Sequence, residues 1–262
     1  MTTIPNIDFS DGIVKKELHV FYLLDVSGSM AGTAIAQLNQ GIKSTIDALR
    51  QKLGDSTESH LKISIMRFSS GAAWITGTPE SDYSEYIEDF TDIPELQAAG
   101  LTHLGSALRL LEKGLSRNTM LKSATGNRRP IIIVMTDGMP TDDWESALQS
   151  INNNRWFQQS TKIGIALGDQ ADENVLAKVV GNHEGVVRVT DISLFADMLV
   201  EVSVTSSLLN SGSVINSVNP STNPQTQPSK STIPVQTAPI NSTVVSQTLP
   251  IQNNPFDDSE LE

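Results

Sequence analysis

Up to about residue 205 the chain alternates between short apolar runs and stretches in which apolar residues recur every three or four positions. The runs predict strands over Leu18–Asp25, His60–Ser69, Ala72–Thr76, Pro130–Asp137, Thr161–Leu167 and Val186–Thr190. Several, such as IIIVM at 131–135, are apolar at every position. A half-exposed strand would alternate, so these runs suit strands covered on both faces of a mostly parallel sheet. Between them, Ile35, Leu38, Ile42, Ile46, Leu49 and Leu53 make one helical stripe, and Leu104, Leu108, Leu111 and Leu115 make another. Further helices are predicted over Trp144–Asn152, Asp172–Val180 and Ser193–Val204. Strands alternating with helices predict an α/β domain: a doubly wound, mostly parallel sheet with one antiparallel edge strand and helices on both faces.

Past residue 205 the periodicity stops. Residues 206–255 are dominated by Ser, Thr, Asn, Gln and Pro, with Lys230 the one basic residue, and the chain closes on the acidic FDDSELE. Such a segment buries too little apolar surface to offset an ordering entropy of roughly 1–2 kcal/mol per residue. The expected organisation is an N-terminal extension over 1–16, a folded domain over 17–204 and a disordered tail over 205–262.

Composition narrows the chemistry. With 38% hydrophobic residues the chain can build a substantial core, and with no cysteine it has neither disulfides nor thiolate metal sites, so any metal is held by oxygen or imidazole. A formal charge of -12 and the lack of a Lys/Arg run argue against nucleic-acid binding. The N-terminus lacks a basic segment followed by an apolar one, and no stretch approaches about 18 apolar residues. The expectation is a cytoplasmic protein without membrane insertion.

Ligands of doubly wound folds bind beyond the carboxyl ends of the strands. Asp25 ends the first predicted strand in LLDVSGSM, Asp137 ends RPIIIVMTD, and Thr102 lies in the loop before the helix that starts near Leu104. Ser27 and Ser29 share the first loop, and a turn through Gly28 lets alternate side chains point the same way. Hydroxyls and carboxylates without sulfur or imidazole are the ligand set of a hard cation, Mg2+ above all, with Mn2+ or Ca2+ as alternatives. Alone, the D-x-S-x-S triplet is a weak signal and fits an Asp that caps a helix N-terminus better than a metal ligand; Thr102 and Asp137 in register tip the reading toward metal.

DVSGSM at 25–30, the Thr102 loop and TDG at 136–138 resemble the metal-ion-dependent adhesion site of von Willebrand factor type A (VWA) domains, whose pattern is D-x-S-x-S, a distant Thr and a distant Asp. The resemblance covers about residues 17–204. It extends to the bacterial tellurium-resistance-associated (TerY-like) VWA proteins through Tyr22–Met30, Leu38–Ile42, Thr136–Leu148 and Ile163–Val179. It implies a VWA fold in which Ser27 and Ser29 bind the metal directly, Thr102 directly or through water, and Asp25 and Asp137 hold coordinated waters. The family usually has two glycines before the threonine, where this chain reads Gly100-Leu101.

The function this implies is a non-enzymatic, Mg2+-dependent protein-interaction module whose partner supplies an Asp or Glu to the metal. The resemblance further implies an intracellular scaffold in bacterial stress-response or signalling systems, beside a Ser/Thr kinase and a PP2C-type phosphatase. One alternative is a VWA subunit serving an AAA+ ATPase of the chelatase or MoxR type. Another is an Asp-dependent phosphatase or phosphotransferase, but that chemistry needs a second carboxylate two residues after Asp25, where Ser27 stands.

Other features have simpler expectations. His103 is a loop side chain at the rim. Thr141 or Asp142 caps the helix that follows, with Asp143 and Glu145 favoured by its dipole, and Asp169, Asp172 and Glu173 behave likewise at the next helix. Trp144 and Trp156 pack, and Arg128 and Arg129 are solvated. Asn241-Ser242-Thr243 and the TIPVQ/TLPIQ pair at 232 and 248 are read as chance matches or docking motifs without further support.

Overall fold

Both faces of the central strands are covered, as the continuous apolar runs require. In the computed structural model all six residues of β5 (Ile131–Thr136) are buried, and so are nine of the ten in β1 (Lys16–Asp25). The structure describes residues 15–53, 59–168, 171–189, 201, 204 and 205. These belong to one compact unit, Met1–Asn216; a second unit, Ser217–Glu262, lies outside the described residues. Also outside them are residues 1–14, Asp169, the tail beyond Thr205 with its motifs, and most of the expected helix Ser193–Val204. Of that helix Glu201 and Val204 are described; both are helical, and Val204 is buried against the sheet.

The remaining elements follow in chain order. They are α1 (Thr33–Leu53), β2 (Ser59–Phe68), β3 (Ala72–Trp74), β4 (Glu85–Tyr86), α2 (Leu104–Gly114), α3 (Trp144–Ile151), α4 (Arg155–Gln159), β6 (Thr161–Leu167), α5 (Glu173–Val180) and β7 (Val186–Val189). Strand periodicity divides the apolar side chains between two cores. Leu18, Val20, Tyr22 and Leu24 face α1, whose Leu38, Ile42, Ile46, Leu49 and Leu53 are the stripe read from the sequence. Phe21 and Leu23 face the other way, against Leu104, Leu108 and Leu111 of α2 and Val175, Leu176 and Val179 of α5.

The strand order is β3-β2-β1-β5-β6-β7, with β2, β1, β5, β6 and β7 parallel. The antiparallel edge is present in two short pieces along β2: β3 beside Met66–Phe68, and β4 beside Lys62 and Ile63. Because β1 leads outward to β2 and β5 leads the opposite way to β6, the loops leaving these adjacent strands diverge. A crevice therefore opens over Asp25 and Asp137.

Among the described residues one strand and one α-helix were not expected. β4 has two residues and α4 five, too few for a periodicity to show. Helix α4 is set locally by Asn154, whose side chain accepts from Trp156 N at 2.9 Å and Phe157 N at 3.3 Å, and it seats Phe157 in the core. Arg128 departs from its solvated expectation, because its Nε donates to Ser59 Oγ at 2.6 Å and staples the chain before β5 to the start of β2.

Candidate metal centre

The crevice is built by three loops tied to one another through their backbones. Gly28 N donates to Gly100 O at 2.9 Å, Ala99 N to Val26 O at 2.9 Å, and Thr141 N to Thr102 O at 2.8 Å. In the first loop Gly28–Met30 winds into one 3-10 turn, which brings the alternate side chains Ser27 and Ser29 to one side, their Oγ atoms 3.0 Å apart. Ser29 Oγ in turn donates to Asp137 Oδ1 at 2.8 Å across 108 positions of sequence. A run of oxygens thus passes from Ser27 through Ser29 to Asp137.

Thr102 approaches from the third loop. A Cβ added at Gly138 would lie 3.7 Å from Thr102 Oγ1 and 3.8 Å from Ser29 Oγ, so both hydroxyls border the same small space beside Asp137. Thr102 and Ser27 are buried while Ser29 is exposed, which leaves the group open on one side. All five residues read from the sequence are therefore assembled at one strand edge.

Asp25 sits deepest and is fully buried. Its Oδ1 accepts from Ser27 N at 2.8 Å and its Oδ2 from Thr136 Oγ1 at 2.5 Å. Burial pushes its carboxyl above the ordinary range; the Thr136 and Ser27 hydrogen bonds oppose this, and the nearby Asp137 charge adds to it. Asp137, half-buried, is pushed up by burial against the opposing Ser29 bond. Among the described residues no Lys or Arg pairs with either carboxylate. Nor, among those residues, does any group of three or more His, Asp or Glu side chains stand so as to hold a metal ion, so hydroxyls must complete any cation site here. A divalent ion beside Asp25 and Asp137 would favour the charged form of both, and the all-oxygen donor set suits such an ion.

The positioning of Thr102 corrects one expectation. Asp142 caps not the helix that follows it but the distant N-terminus of α2: its Oδ1 accepts from Gly105 N at 2.9 Å and its Oδ2 from Ser106 N at 2.9 Å. Asp143 is the residue that caps α3, accepting from Ser146 N at 3.3 Å. The close approach demands Gly105, where a Cβ would meet Asp143 O at 2.8 Å and Trp144 Cα at 2.9 Å. At the next helix Asp172 does cap α5, accepting from Asn174 N at 2.8 Å. The single glycine before Leu101 is the one its turn requires, since Gly100 has φ +85° and a Cβ there would lie 2.5 Å from Ser70 Oγ.

Sequence reasoning missed Thr136, Asp142 and Ser70 as supports. Thr136 had a signal, as the residue beside Asp137 at a strand end; the others had none, because their partners lie more than thirty positions away. His103 stands at the rim, its N donating to Ser69 O at 2.8 Å. Trp144 and Trp156 pack against the second core, as expected, with Lys178 and Arg117 over their outer faces. A cavity of about 390 Å³ lies elsewhere, between β3 and the end of α2; it is lined by Trp74, Tyr83, Leu110 and Met120 and shares no residue with the oxygen group.

Residues 20–140 match the family model described as von Willebrand factor type A domain. No curated protein matches the chain. Among solved structures it is similar to a von Willebrand factor type A protein from Catenulispora acidiphila (19% identity, TM-score 0.55), covering 73% of this chain and 43% of that one. It is also similar to proximal thread matrix protein 1 from the mussel byssus with a zinc-occupied MIDAS motif, the metal-ion-dependent adhesion site (16%, 0.54; 74% and 48%). A third is the pilus adhesin SpaC from Lactobacillus rhamnosus GG (12%, 0.56; 74% and 31%). The chain thus spans less than half the length of these proteins, and at such identities the likeness is one of fold. Sheet order and the match over residues 20–140 agree on the fold: this part of the chain has the von Willebrand factor type A architecture.

Proposed function

We propose that this domain is a non-enzymatic docking module in which Ser27, Ser29 and Thr102 hold a divalent cation, with Asp25 and Asp137 in support, and a protein partner contributes an Asp or Glu to it. The observation that carries the reading is the convergence of Ser29 and Asp137, 108 positions apart and 2.8 Å between oxygens, on the edge where Thr102 also arrives. The cation supplies an electrophilic position that a carboxylate can fill. The chain's own part is to keep neutral hydroxyls around it, with Asp25 anchored too deep to cancel its charge. The zinc in the mussel protein is a precedent on this fold; the oxygen-only set here favours harder Mg2+, with Mn2+ and Ca2+ as substitutes.

The likeness of Tyr22–Met30, Thr136–Leu148 and Ile163–Val179 to the tellurium-resistance-associated group supports a role as an intracellular scaffold in a bacterial stress or kinase/phosphatase signalling system. Titration calorimetry of the chain with Mg2+ and Mn2+ tests the core of the proposal. A single site that Asp25→Ala abolishes is the expected result; unchanged binding in that variant overturns the assignment.

A further inference from the structure

Among the described residues the large apolar side chains that stand exposed are Leu101 at 55% and Met139 at 62%. Isolated exposed apolar residues are ordinary on protein surfaces. Here, however, one immediately precedes Thr102 and the other follows Asp137 by two residues, so both fall on the loops that deliver the candidate ligands. Gly28 and Thr141 on the same loops and Ser70 beside Leu101 are small or polar.

Their exposure is enforced by the backbone. Leu101 N donates to Ser70 Oγ at 3.0 Å, directly after Gly100 in its left-handed conformation, so the side chain cannot turn inward without undoing that turn. Met139 is pinned between the Gly138 N to Thr136 Oγ1 bond at 3.2 Å and the Thr141 N to Thr102 O bond at 2.8 Å. The fold gains nothing from a leucine and a methionine held in solvent there, whereas a partner that covers them does. Charge points the same way. In a chain of formal charge -12 an acidic partner receives no long-range attraction, so its affinity has to come from short-range contacts at the site itself.

We propose that Leu101 and Met139 form an apolar rim on the cation site, and that the surface is built for a protein segment whose metal-binding Asp or Glu is flanked by apolar side chains. The inference rests on the proposed reading of the site as a cation-dependent docking point and adds the partner's flanking chemistry. Leucines on either side of the acid would cover the two side chains as the carboxylate reaches the cation. Methionine, unbranched and polarisable, can adjust to partners of different shape.

The test uses the full chain in Mg2+ and three capped peptides, Gly-Leu-Asp-Leu-Gly, Gly-Ser-Asp-Ser-Gly and Gly-Leu-Asn-Leu-Gly, titrated by NMR. Covering two half-exposed apolar side chains should make the first bind about tenfold tighter than the second, with the asparagine peptide inert and EDTA abolishing binding. In Leu101→Ser/Met139→Ser the tenfold ratio should collapse to about one, and in Met139→Ser alone, which leaves the Thr102 loop untouched, to about threefold. Equal, EDTA-sensitive binding of both acidic peptides to the native chain overturns the apolar rim and leaves the docking reading standing. A ratio that persists in both variants also overturns the rim. No EDTA-sensitive binding of either acidic peptide overturns the docking reading and the rim with it.

Discussion

At the amino end of β1, Glu17 lies 3.4 Å from Lys62 Nζ and accepts from the Tyr86 hydroxyl at 2.9 Å, while the same ammonium sits 4.7 Å from the Tyr86 ring centre. Eight residues on, at the carboxyl end of the strand, Asp25 is buried more deeply; among the described residues it accepts from Ser27 and Thr136, and the charge of a second carboxylate, Asp137, acts against its ionisation. One end of the strand neutralises its carboxylate within the protein. The other holds two carboxylates above their ordinary range, and among the described residues no Lys or Arg pairs with either. Burying uncompensated charge opposes folding, so the carboxyl end of β1 is the less stabilising of the two, and the proposed cation is what would offset that cost. The exposed Leu101 and Met139 stand at that end as well.

The largest effect that separates the two ends is cation-linked stability. At a cation concentration a hundredfold above Kd, binding to the native state alone adds about 2.7 kcal/mol. Thermal unfolding of the native chain should show a corresponding rise in Tm between EDTA and Mg2+, and Asp25→Asn should lose all of it. An undiminished rise in Asp25→Asn would mean that the stabilising cation sits elsewhere.

Next in size is the contrast between the carboxylates in EDTA. Glu17→Ala removes an ion pair and a charged hydrogen bond from a nearly buried position and should cost about 2 kcal/mol, with or without cation. Asp25→Asn removes a disfavoured buried charge while keeping an acceptor, so its stability in EDTA should match or exceed that of the native chain. Chemical denaturation of both variants decides this. A loss at Asp25 equal to that at Glu17 would erase the distinction between the two ends.

The pH dependence sharpens it. Asp25 and Asp137 have folded-state values raised above 3.8, so the stability they contribute is present below that value and is lost as pH rises through the folded value. In EDTA they oppose folding at neutral pH, and a bound cation lifts that penalty. The stability gap between Mg2+ and EDTA, read by denaturation as well as by Tm, should therefore widen as pH rises above about 4, by no more than about 1.4 kcal/mol per pH unit for each group. His19, fully buried against Phe21 and bonded to Ser64, is pushed down from 6.5 to about 3. Its contribution is present above 6.5 and is lost as pH falls toward 3, with and without cation alike, so it cancels in the gap. A gap that stays flat across this range would mean that the carboxylates are not linked to cation binding.

How much of this was legible in the sequence depended on range. The long strands and helices read correctly to within a few residues, because burial on one or both faces imprints a period on any element of three turns or six strand residues. That Asp25, Ser27, Ser29, Thr102 and Asp137 come to one edge could be expected because Asp25 ends β1 with the two serines in the loop behind it, Asp137 follows β5, Thr102 precedes α2, and strand ends of a parallel sheet converge. What did not show were pairings across the sequence between polar side chains: Thr136 on Asp25 over 111 positions, Arg128 on Ser59 over 69, Asp142 on α2 over 37. Local capping rules assigned Asp142 to its neighbouring helix, and only the packing of α2 against α3 through Gly105 redirects it.

That redirected cap carries the smallest effect, and it tests whether the carboxyl end is one coupled unit or a set of independent loops. Asp142 joins the loop that follows Asp137 to the helix that follows Thr102, through two backbone amides that no residue of α2 itself can satisfy. Loss of a cap costs about 1 kcal/mol, so Asp142→Ala should lower stability by that amount. If the loops are coupled, Thr102 also becomes less well placed, and cation affinity should fall several-fold although Asp142 is not itself among the five candidate ligands. Asp142→Asn keeps one acceptor and should recover part of both losses. Calorimetry on the two variants separates the cases: a stability loss with unchanged affinity would show that Thr102 is held by its own exchange with Thr141, Thr141 N to Thr102 O at 2.8 Å and Thr102 N to Thr141 Oγ1 at 3.2 Å, without help from the cap.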